Sequence, residues 1–153
     1  MTDAYRHRTP VQVRFRDVDA FGHVNNAVFF SYVELARIRY LLEVIEPDET
    51  FDRLPLILAR VELDYRSPIQ FGTDVTVETR VEHVGRTSFG MSHRMTAGPD
   101  ERVVADVQTV LVAYDYPNAR PMPVPDEWRR RFGAFEGASF DNDPSRRDTA
   151  ATG

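Results

Sequence analysis

Residues 16–45 read RDVDAFGHVNNAVFFSYVELARIRYLLEVI, a polar block that runs directly into an apolar one. From Asn25 to Ile45, 14 of 21 side chains are apolar and neither Gly nor Pro occurs, which predicts a long helix. A helix this apolar must be largely enclosed by other structure. The polar block before it is costly to a core and useful to chemistry, so we interpret it as a candidate active site where a strand ends and the helix begins.

Alternating apolar and polar positions predict five strands around this helix. Val11, Val13 and Phe15 indicate the first strand, just before the polar block. Four more patterns follow at residues 57–65, 75–82, 88–95 and 103–114. Short glycine-containing connections between the last three patterns suit antiparallel hairpins. One long helix with an antiparallel sheet of about five strands curled around it is an α+β fold.

The C-terminal part of the chain has a different composition. The proline-rich stretch from Pro117 to Pro125 is expected to leave the sheet, and Asp126 to cap a short helix that ends near Phe132. From residue 133 on, Gly, Ala, Ser and Asp dominate without periodicity. We therefore predict one folded domain, residues 1–132, and a disordered tail, residues 133–153.

Composition excludes several kinds of chemistry. The 153 residues suit one domain, and they contain no cysteine, hence no disulfide, thiolate nucleophile or cysteine metal site. All 19 basic residues are arginine, which excludes a Schiff-base lysine. The net charge of −5 argues against general nucleic-acid binding. No apolar run approaches the ~20 residues that span a bilayer, and no secretory signal opens the chain, so we expect a cytoplasmic protein without a membrane partner.

The spacing inside the polar block suits acyl transfer or hydrolysis. Asp19 precedes His23 by four residues and Asn26 by seven. A helix that starts near Asn25 has unpaired first N–H groups and the positive end of its dipole there, which can stabilise an oxyanion. Gly22 permits a tight turn. The Asp19 carboxylate could attack a carbonyl or draw a proton from water.

A structural interpretation of the same residues stays open at this point. Asp, His and Asn before a helix are also ordinary capping residues, and spacing alone does not choose between capping and catalysis. Asp17 is better interpreted as a strand-end or capping group than as a catalytic one.

The block resembles a known family. Asp17-Val18-Asp19-Ala20-Phe21-Gly22-His23-Val24-Asn25-Asn26, followed by Tyr32-Val33-Glu34-Leu35-Ala36-Arg37, is similar to the signature of hotdog-fold acyl-CoA thioesterases of the 4-hydroxybenzoyl-CoA thioesterase type. The likeness runs from about Thr9 to about Arg131. It implies an antiparallel sheet wrapped around a central helix, and hydrolysis of an acyl-CoA to a free acid and coenzyme A.

The resemblance also implies partners and cofactors. The partners are the acyl-CoA substrate and further copies of the chain, in a homodimer with the site at the subunit interface or a homotetramer of two such dimers. No metal or redox cofactor is implied, since coenzyme A enters as part of the substrate. Phe29, Phe30 and Val33, with Leu56 and Ile57, are expected to line the acyl pocket.

Residue roles follow from the same likeness. The catalytic aspartate falls on Asp19, and the oxyanion donor on the backbone N–H at or near Asn26, with Gly22 and Asn25 beside the substrate. His23 either orients substrate or water, or braces the loop. Related acyl-carrier-protein thioesterases carry an asparagine where this chain has Phe21, so a three-residue relay is not expected.

One helix residue and one turn, both distant from the polar block in the sequence, complete the predicted site. Glu34 lies about two helical turns beyond Asn26, and is either a second acid near the substrate or an i,i+3 partner of Arg37. Arg86, Thr87 and Ser88 lie on the turn between the third and fourth predicted strands, where the resemblance places coenzyme contacts. An arginine there could pair with a phosphate, but a plain polar hairpin is the alternative.

Two alternative functions of a hotdog protein are considered with the thioesterase hypothesis. A hotdog hydratase or dehydratase needs a different arrangement of Asp and His, which the sequence lacks. A non-catalytic acyl-CoA-binding hotdog protein is the other alternative, although acyl-CoA sensors of this kind usually carry a further DNA-binding domain.

Overall fold

The computed structural model describes residues 5–45 and 54–140. The strands are β1 (His7–Val11), β2 (Leu56–Tyr65), β3 (Val75–Val84), β4 (Ser88–Ala97), β5 (Arg102–Asp115) and β6 (Arg120–Pro121). The helices are α1 (Asn26–Val44) and α2 (Asp126–Glu136). None of the helices in this part of the chain is long and apolar enough to cross a membrane.

The strands form one antiparallel sheet in the order β1-β3-β4-β5-β2, and the short β6 pairs with the end of β5. The expected α+β hotdog architecture is thereby confirmed. β6 is an addition, since it lies in the proline-rich stretch that was expected to leave the sheet. β1 and β2 form the two edges of the main sheet, and β2 is the longer of the two.

α1 lies against the sheet and divides the core into two clusters. Near its start, Phe29, Tyr32 and Val33 pack with side chains from β1, β3, β4 and β5. Near its end, Tyr40 and Leu41 pack with a second group that includes α2. The opposite face, with Ser31, Leu35, Arg39 and Glu43, is exposed. Within one chain the helix is therefore enclosed on one side only.

The first strand is displaced from its predicted place. β1 covers His7–Val11, and a single 3₁₀ turn, Phe15–Asp17, follows it. The backbone N–H of Arg14 donates to the Asp17 carboxylate at 2.9 Å, and that of Asp17 donates to the Arg14 carbonyl at 2.9 Å. Such local bonds compete with sheet pairing. Phe15, expected inside, is 81% exposed as a result.

The prediction of a tail that is disordered from residue 133 is wrong for residues 133–140. α2 continues to Glu136 and ends at Gly137, whose φ of +66° is the usual left-handed helix terminus. Beyond it, Phe140 is only 6% exposed and packs in the second core cluster. Aromatic side chains that lie far apart in the sequence pack this segment against the core. A prediction from composition overlooks them because they form no periodic pattern. Residues 141–153 lie outside the described part of the chain.

Candidate active site

The polar block forms a tight loop between the 3₁₀ turn and α1. Val18 and Val24 face each other as a β-bridge. Between them, the N–H of Asp19 donates to the His23 carbonyl at 2.9 Å, and that of Gly22 donates to the Asp19 carbonyl at 3.1 Å. Gly22 has a φ of +82°, where a side chain would be strained. Gly22 thus lies at a tight turn, as the sequence predicted.

Asp17 braces this loop from the inside. Its buried carboxylate accepts hydrogen bonds from the Arg14 N–H at 2.9 Å and the Tyr32 hydroxyl at 2.8 Å, and its carbonyl accepts from the Asn25 N–H at 2.8 Å. Burial alone raises the pKa of Asp17, but the bonds from Arg14 and Tyr32 outweigh it, and the pKa lies below the ordinary 3.8. The geometry favours the structural interpretation of Asp17.

Asp19 is half-buried and differently placed. Its Oδ1 accepts the N–H of Phe21 at 2.9 Å. Its Oδ2 has no hydrogen bond to any residue in the described ranges. One oxygen therefore holds the carboxylate in position, and the other is available to a substrate or a water molecule.

The start of α1 lies beside this carboxylate. Asn25 is the N-cap, and its Oδ1 accepts the Ala27 N–H at 2.9 Å. Asn26 is the first helical residue, so its own N–H has no carbonyl within the helix to bond. From the end of β2, the Tyr65 hydroxyl donates to the Asn26 carbonyl at 2.7 Å, and the Tyr65 ring packs against Phe29 with centroids 5.1 Å apart. The edge strand thus fixes the position of the helix start.

A cavity of about 500 Å³ joins these groups. It is lined by Asp19, Phe21, His23, Val24, Asn26, Phe29, Tyr65, Arg66, Ser67 and Pro68. The structure brings the three predicted catalytic residues together in one cavity. Sequence reasoning missed Tyr65, Ser67 and Pro68, which form the opposite wall. The only local signal is the break in strand alternation at Arg66-Ser67-Pro68.

Glu34 does not line this cavity. Its Oε2 lies 3.5 Å from Nη2 of Arg37, the i,i+3 pairing that the sequence offered as an alternative. The structure thus contains this pair.

Arg86, Thr87 and Ser88 lie at the far end of the sheet. Ser88 pairs with Val112 of β5, and Tyr65 pairs with Ala105 of the same strand. Ala105 and Val112 lie roughly 24 Å apart along β5, so Ser88 and Tyr65 lie near opposite ends of the sheet. Arg86 is exposed, whereas Ser88 is buried. Within one chain, the predicted coenzyme contacts and Asp19 are not brought together.

The buried histidine of β4, His93, belongs to the scaffold. His93 is buried between the hydroxyls of Thr79 and Thr109, at 3.1 and 3.2 Å. Burial lowers the pKa of His93 to about 3, so it stays neutral. The described residues contain no group of three or more His, Asp or Glu side chains placed to hold a metal ion.

Comparison with known proteins relates this site to a family. A model of the thioesterase-like superfamily matches residues 13–132. The long-chain acyl-CoA thioesterase FadM of Escherichia coli (strain K12) is 23% identical over 129 residues, which cover 81% of this chain and 95% of that protein.

Solved structures agree with this match. The crystal structure of a thioesterase from Thermus thermophilus, complexed with coenzyme A and Zn, is 43% identical with a TM-score of 0.79, and the match covers 88% of this chain and 97% of that one. A predicted thioesterase from Bacillus stearothermophilus is 29% identical with a TM-score of 0.78, over 84% and 95% of the two chains. The polar loop, the helix start and strands β2 to β6 thus all lie within the matched region, and this chain belongs to the thioesterase-like superfamily.

Proposed function

We propose that this protein is an acyl-CoA thioesterase, which hydrolyses the thioester to a free carboxylic acid and coenzyme A. One observation carries the proposal. Asp19, whose carboxylate has one bonded oxygen and one without a partner in the described chain, lines a cavity together with Asn26, whose N–H has no acceptor within α1. The first supplies an activating group and the second an anion site, which are the two needs of thioester hydrolysis.

In the proposed reaction the thioester carbonyl oxygen points at the start of α1. Its developing negative charge is stabilised there by the Asn26 N–H and the helix dipole. Asp19 either attacks the carbonyl carbon, forming an anhydride that water then cleaves, or takes a proton from a water molecule that attacks. In both routes the C–S bond breaks and the thiolate of coenzyme A leaves, later taking up the proton that water released.

His23 has two separable contributions. Its carbonyl accepts the Asp19 N–H at 2.9 Å, so its backbone braces the loop whatever the side chain does. His23 also lines the cavity. We assign to the side chain the orientation of substrate or water, and to Asn25 and Gly22 the shaping of the helix start and the turn.

We propose that the working unit is a homodimer, or a homotetramer built from two such dimers. β2 is an open edge, and its Leu58 and Val61 are 37% and 38% exposed. An edge of this kind invites pairing with another strand. Antiparallel pairing of β2 with β2 of a second copy is self-complementary, as a twofold axis requires.

The same pairing of β2 strands would bring Asp19 of one copy close to the predicted coenzyme contacts of the other copy. Antiparallel β2 strands place the start of one next to the end of the other. The turn that holds Arg86 and Thr87 in one copy would then approach Asp19 of its partner, and these two side chains would bind the phosphates of coenzyme A. Because the Ser88 side chain is buried, we assign it to the support of this turn.

We further propose that the enzyme acts in the cytoplasm, without nucleic-acid or membrane partners and without a metal or redox cofactor. The carboxylate and the helix start together provide both parts of the chemistry, so coenzyme A is needed only as part of the substrate.

A panel of short-chain, long-chain and aromatic acyl-CoA esters with a free-thiol reagent tests the proposal. We expect thiol release by the wild type and its loss in Asp19→Asn. A hydratase or dehydratase would change the acyl group without releasing thiol. A non-catalytic binding protein would bind the esters and leave them intact. Either result would refute the thioesterase assignment.

A further inference from the structure

A second cavity, of about 280 Å³, lies between the C-terminal half of α1 and the first half of β2. Its walls are formed by Arg37, Ile38, Leu41, Leu54, Leu56, Ile57, Leu58, Leu111 and Tyr116. This set, which we name the Arg37 pocket, is apolar except for one cation and one phenol. It includes Leu56 and Ile57, two residues that the sequence assigned to the acyl pocket.

The guanidinium of Arg37 is poorly paired for its depth. Arg37 is 9% exposed, and a guanidinium stays protonated even where burial lowers its pKa. Its Nη2 reaches Glu34 at 3.5 Å, and the Glu34 side chain is itself 44% exposed. Its Nη1 is buried without a hydrogen bond to any residue in the described ranges. A buried charge with so little compensation is unfavourable.

The hydrogen bonding of this arginine does not brace the fold. The hydrogen bond that the Arg37 guanidinium makes to Glu34 stays inside α1. Arg129, the other buried arginine of the described chain, is quite different, because its guanidinium donates to the carbonyls of Gly85 and Phe140 and so ties α2 to other segments. This hydrogen bond does not join Arg37 to a second element, and its Nη1 has no acceptor in the described chain.

Half-buried side chains of α1 lie between the residues of this helix that line the two cavities. Phe30, Glu34 and Ile38 follow Asn26 at intervals of four residues, so they share one face of α1. From Asn26 to Arg37 this face extends about 16 Å. An acyl chain whose thioester lies at Asn26 would run along this face toward the Arg37 pocket.

We propose that the Arg37 pocket receives the far end of the acyl chain, and that Arg37 binds a carboxylate there. The inference rests on the proposed thioesterase activity and names its substrate class, acyl-CoA esters that carry a second carboxylate at the end of the chain. A carboxylate in the pocket supplies the guanidinium with a second negative partner besides the exposed Glu34. Charge-assisted pairing of arginine with a carboxylate is among the stronger polar contacts in proteins.

The test compares two thioesters of equal length, dodecanoyl-CoA and dodecanedioyl-CoA, which differ only in the terminal carboxylate. We expect kcat/KM of the wild type to favour the dicarboxylic ester. Arg37→Met, which keeps the length and the apolar contacts, should reduce that preference roughly 10- to 100-fold. Arg39→Met is the matched control, since Arg39 is exposed on the opposite face of α1, and it should leave the preference unchanged.

Two further measurements separate the possible outcomes. Calorimetric binding of dodecanedioic acid needs no catalysis, so Arg37-dependent binding without thiol release would refute the thioesterase proposal and leave the pocket assignment standing. Thiol release with the same ester preference in wild type and Arg37→Met would refute the pocket assignment alone. Thermal unfolding of Arg37→Met should be unchanged or raised, because an uncompensated buried charge is removed. A large drop in Tm would make Arg37 structural and overturn the inference.

Discussion

The hydroxyl of Tyr32, in the second turn of α1, donates a 2.8 Å hydrogen bond to the carboxylate of Asp17, two residues before Asp19. This contact ties the loop that carries Asp19 to the helix whose start faces the same cavity. Burial and the neighbouring carboxylate raise the pKa of Tyr32, so the phenol remains a donor. The hydrogen bond between Tyr32 and Asp17 thus fixes the Asp19 loop relative to the start of α1, although neither residue lines the cavity.

Asp17→Asn should lower the stability of the protein more than it slows the catalytic step. The substitution disturbs a buried acceptor with several donors, and we expect the free energy of unfolding to fall by about 1–3 kcal/mol. Chemical denaturation measures this loss, with Tyr32→Phe as the matched variant that removes one donor alone. Unchanged stability in both variants would contradict the bracing role.

The same residue predicts a dependence of stability on pH. The pKa of Asp17 is lower in the folded state than its ordinary 3.8, so the charged form favours folding above that pH. This stabilisation is lost as the pH falls below 3.8 toward the folded pKa. Acid unfolding of Asp17→Asn should therefore depend less on pH in that range than acid unfolding of the wild type. An identical dependence in both would argue against the lowered pKa.

Asp19→Asn should act on turnover instead. It removes the charge and keeps the shape, and loss of nucleophilic or general-base action is expected to lower kcat by about 10²–10⁴-fold. KM should change little, since the group acts on the chemical step. Glu34→Gln, assayed beside it for thiol release, should retain most of the activity. Normal turnover in Asp19→Asn together with an inactive Glu34→Gln would move the catalytic carboxylate to α1.

Arg86→Ala should raise KM for acyl-CoA with little change in kcat. The expected cause is loss of a phosphate contact, so hydrolysis of a short thioester without the nucleotide should be unaffected. Arg120→Ala is the matched control, an exposed arginine on β6 at the same end of the sheet. An equal effect of Arg86→Ala on both substrates would assign Arg86 to the structure of the turn.

The proposed dimer can be tested on β2. Val61→Lys places a charge in the middle of this edge strand, a common natural means of preventing edge pairing. Light scattering should detect a dimer or tetramer for the wild type and a smaller species for the variant, and thiol release should fall with the assembly. Arg60→Lys, a change without loss of charge on the same strand, is the control. A wild-type monomer of full activity would refute a site completed by a partner.

Truncation distinguishes the ordered part of the C-terminal segment from the remainder. Removing residues 133–153 takes away Phe140 and also Glu136, which accepts hydrogen bonds from the Tyr40 hydroxyl and, at 3.1 Å, from the Val81 N–H. We expect a clear drop in Tm. Removing residues 141–153, which have a polar and aperiodic composition, should change Tm little. Equal melting of the two truncated proteins would contradict the packing of this segment.

Local patterns in the sequence determined the elements of this fold and the place of its polar loop. The apolar run after Asn25 became α1, four alternating patterns became β2 to β5, and Gly22 took the turn that its position indicated. Helix and strand periodicity depends on near neighbours, so it can be read along the chain. The first strand was predicted too far along the chain. Its alternating pattern continues beyond Arg14, but the Arg14 N–H bonds to the Asp17 carboxylate instead of to a neighbouring strand.

Tertiary structure alone decided which of these residues meet. The wall of Tyr65 to Pro68, the bond from Tyr32 to Asp17 and the poorly paired Arg37 join positions or environments that no local spacing encodes. The separation of Arg86 from Asp19 is of the same kind, since it follows from strand order and register. Such contacts arise when the sheet closes and its register is set by packing across the whole core, and that packing is a property of the folded chain.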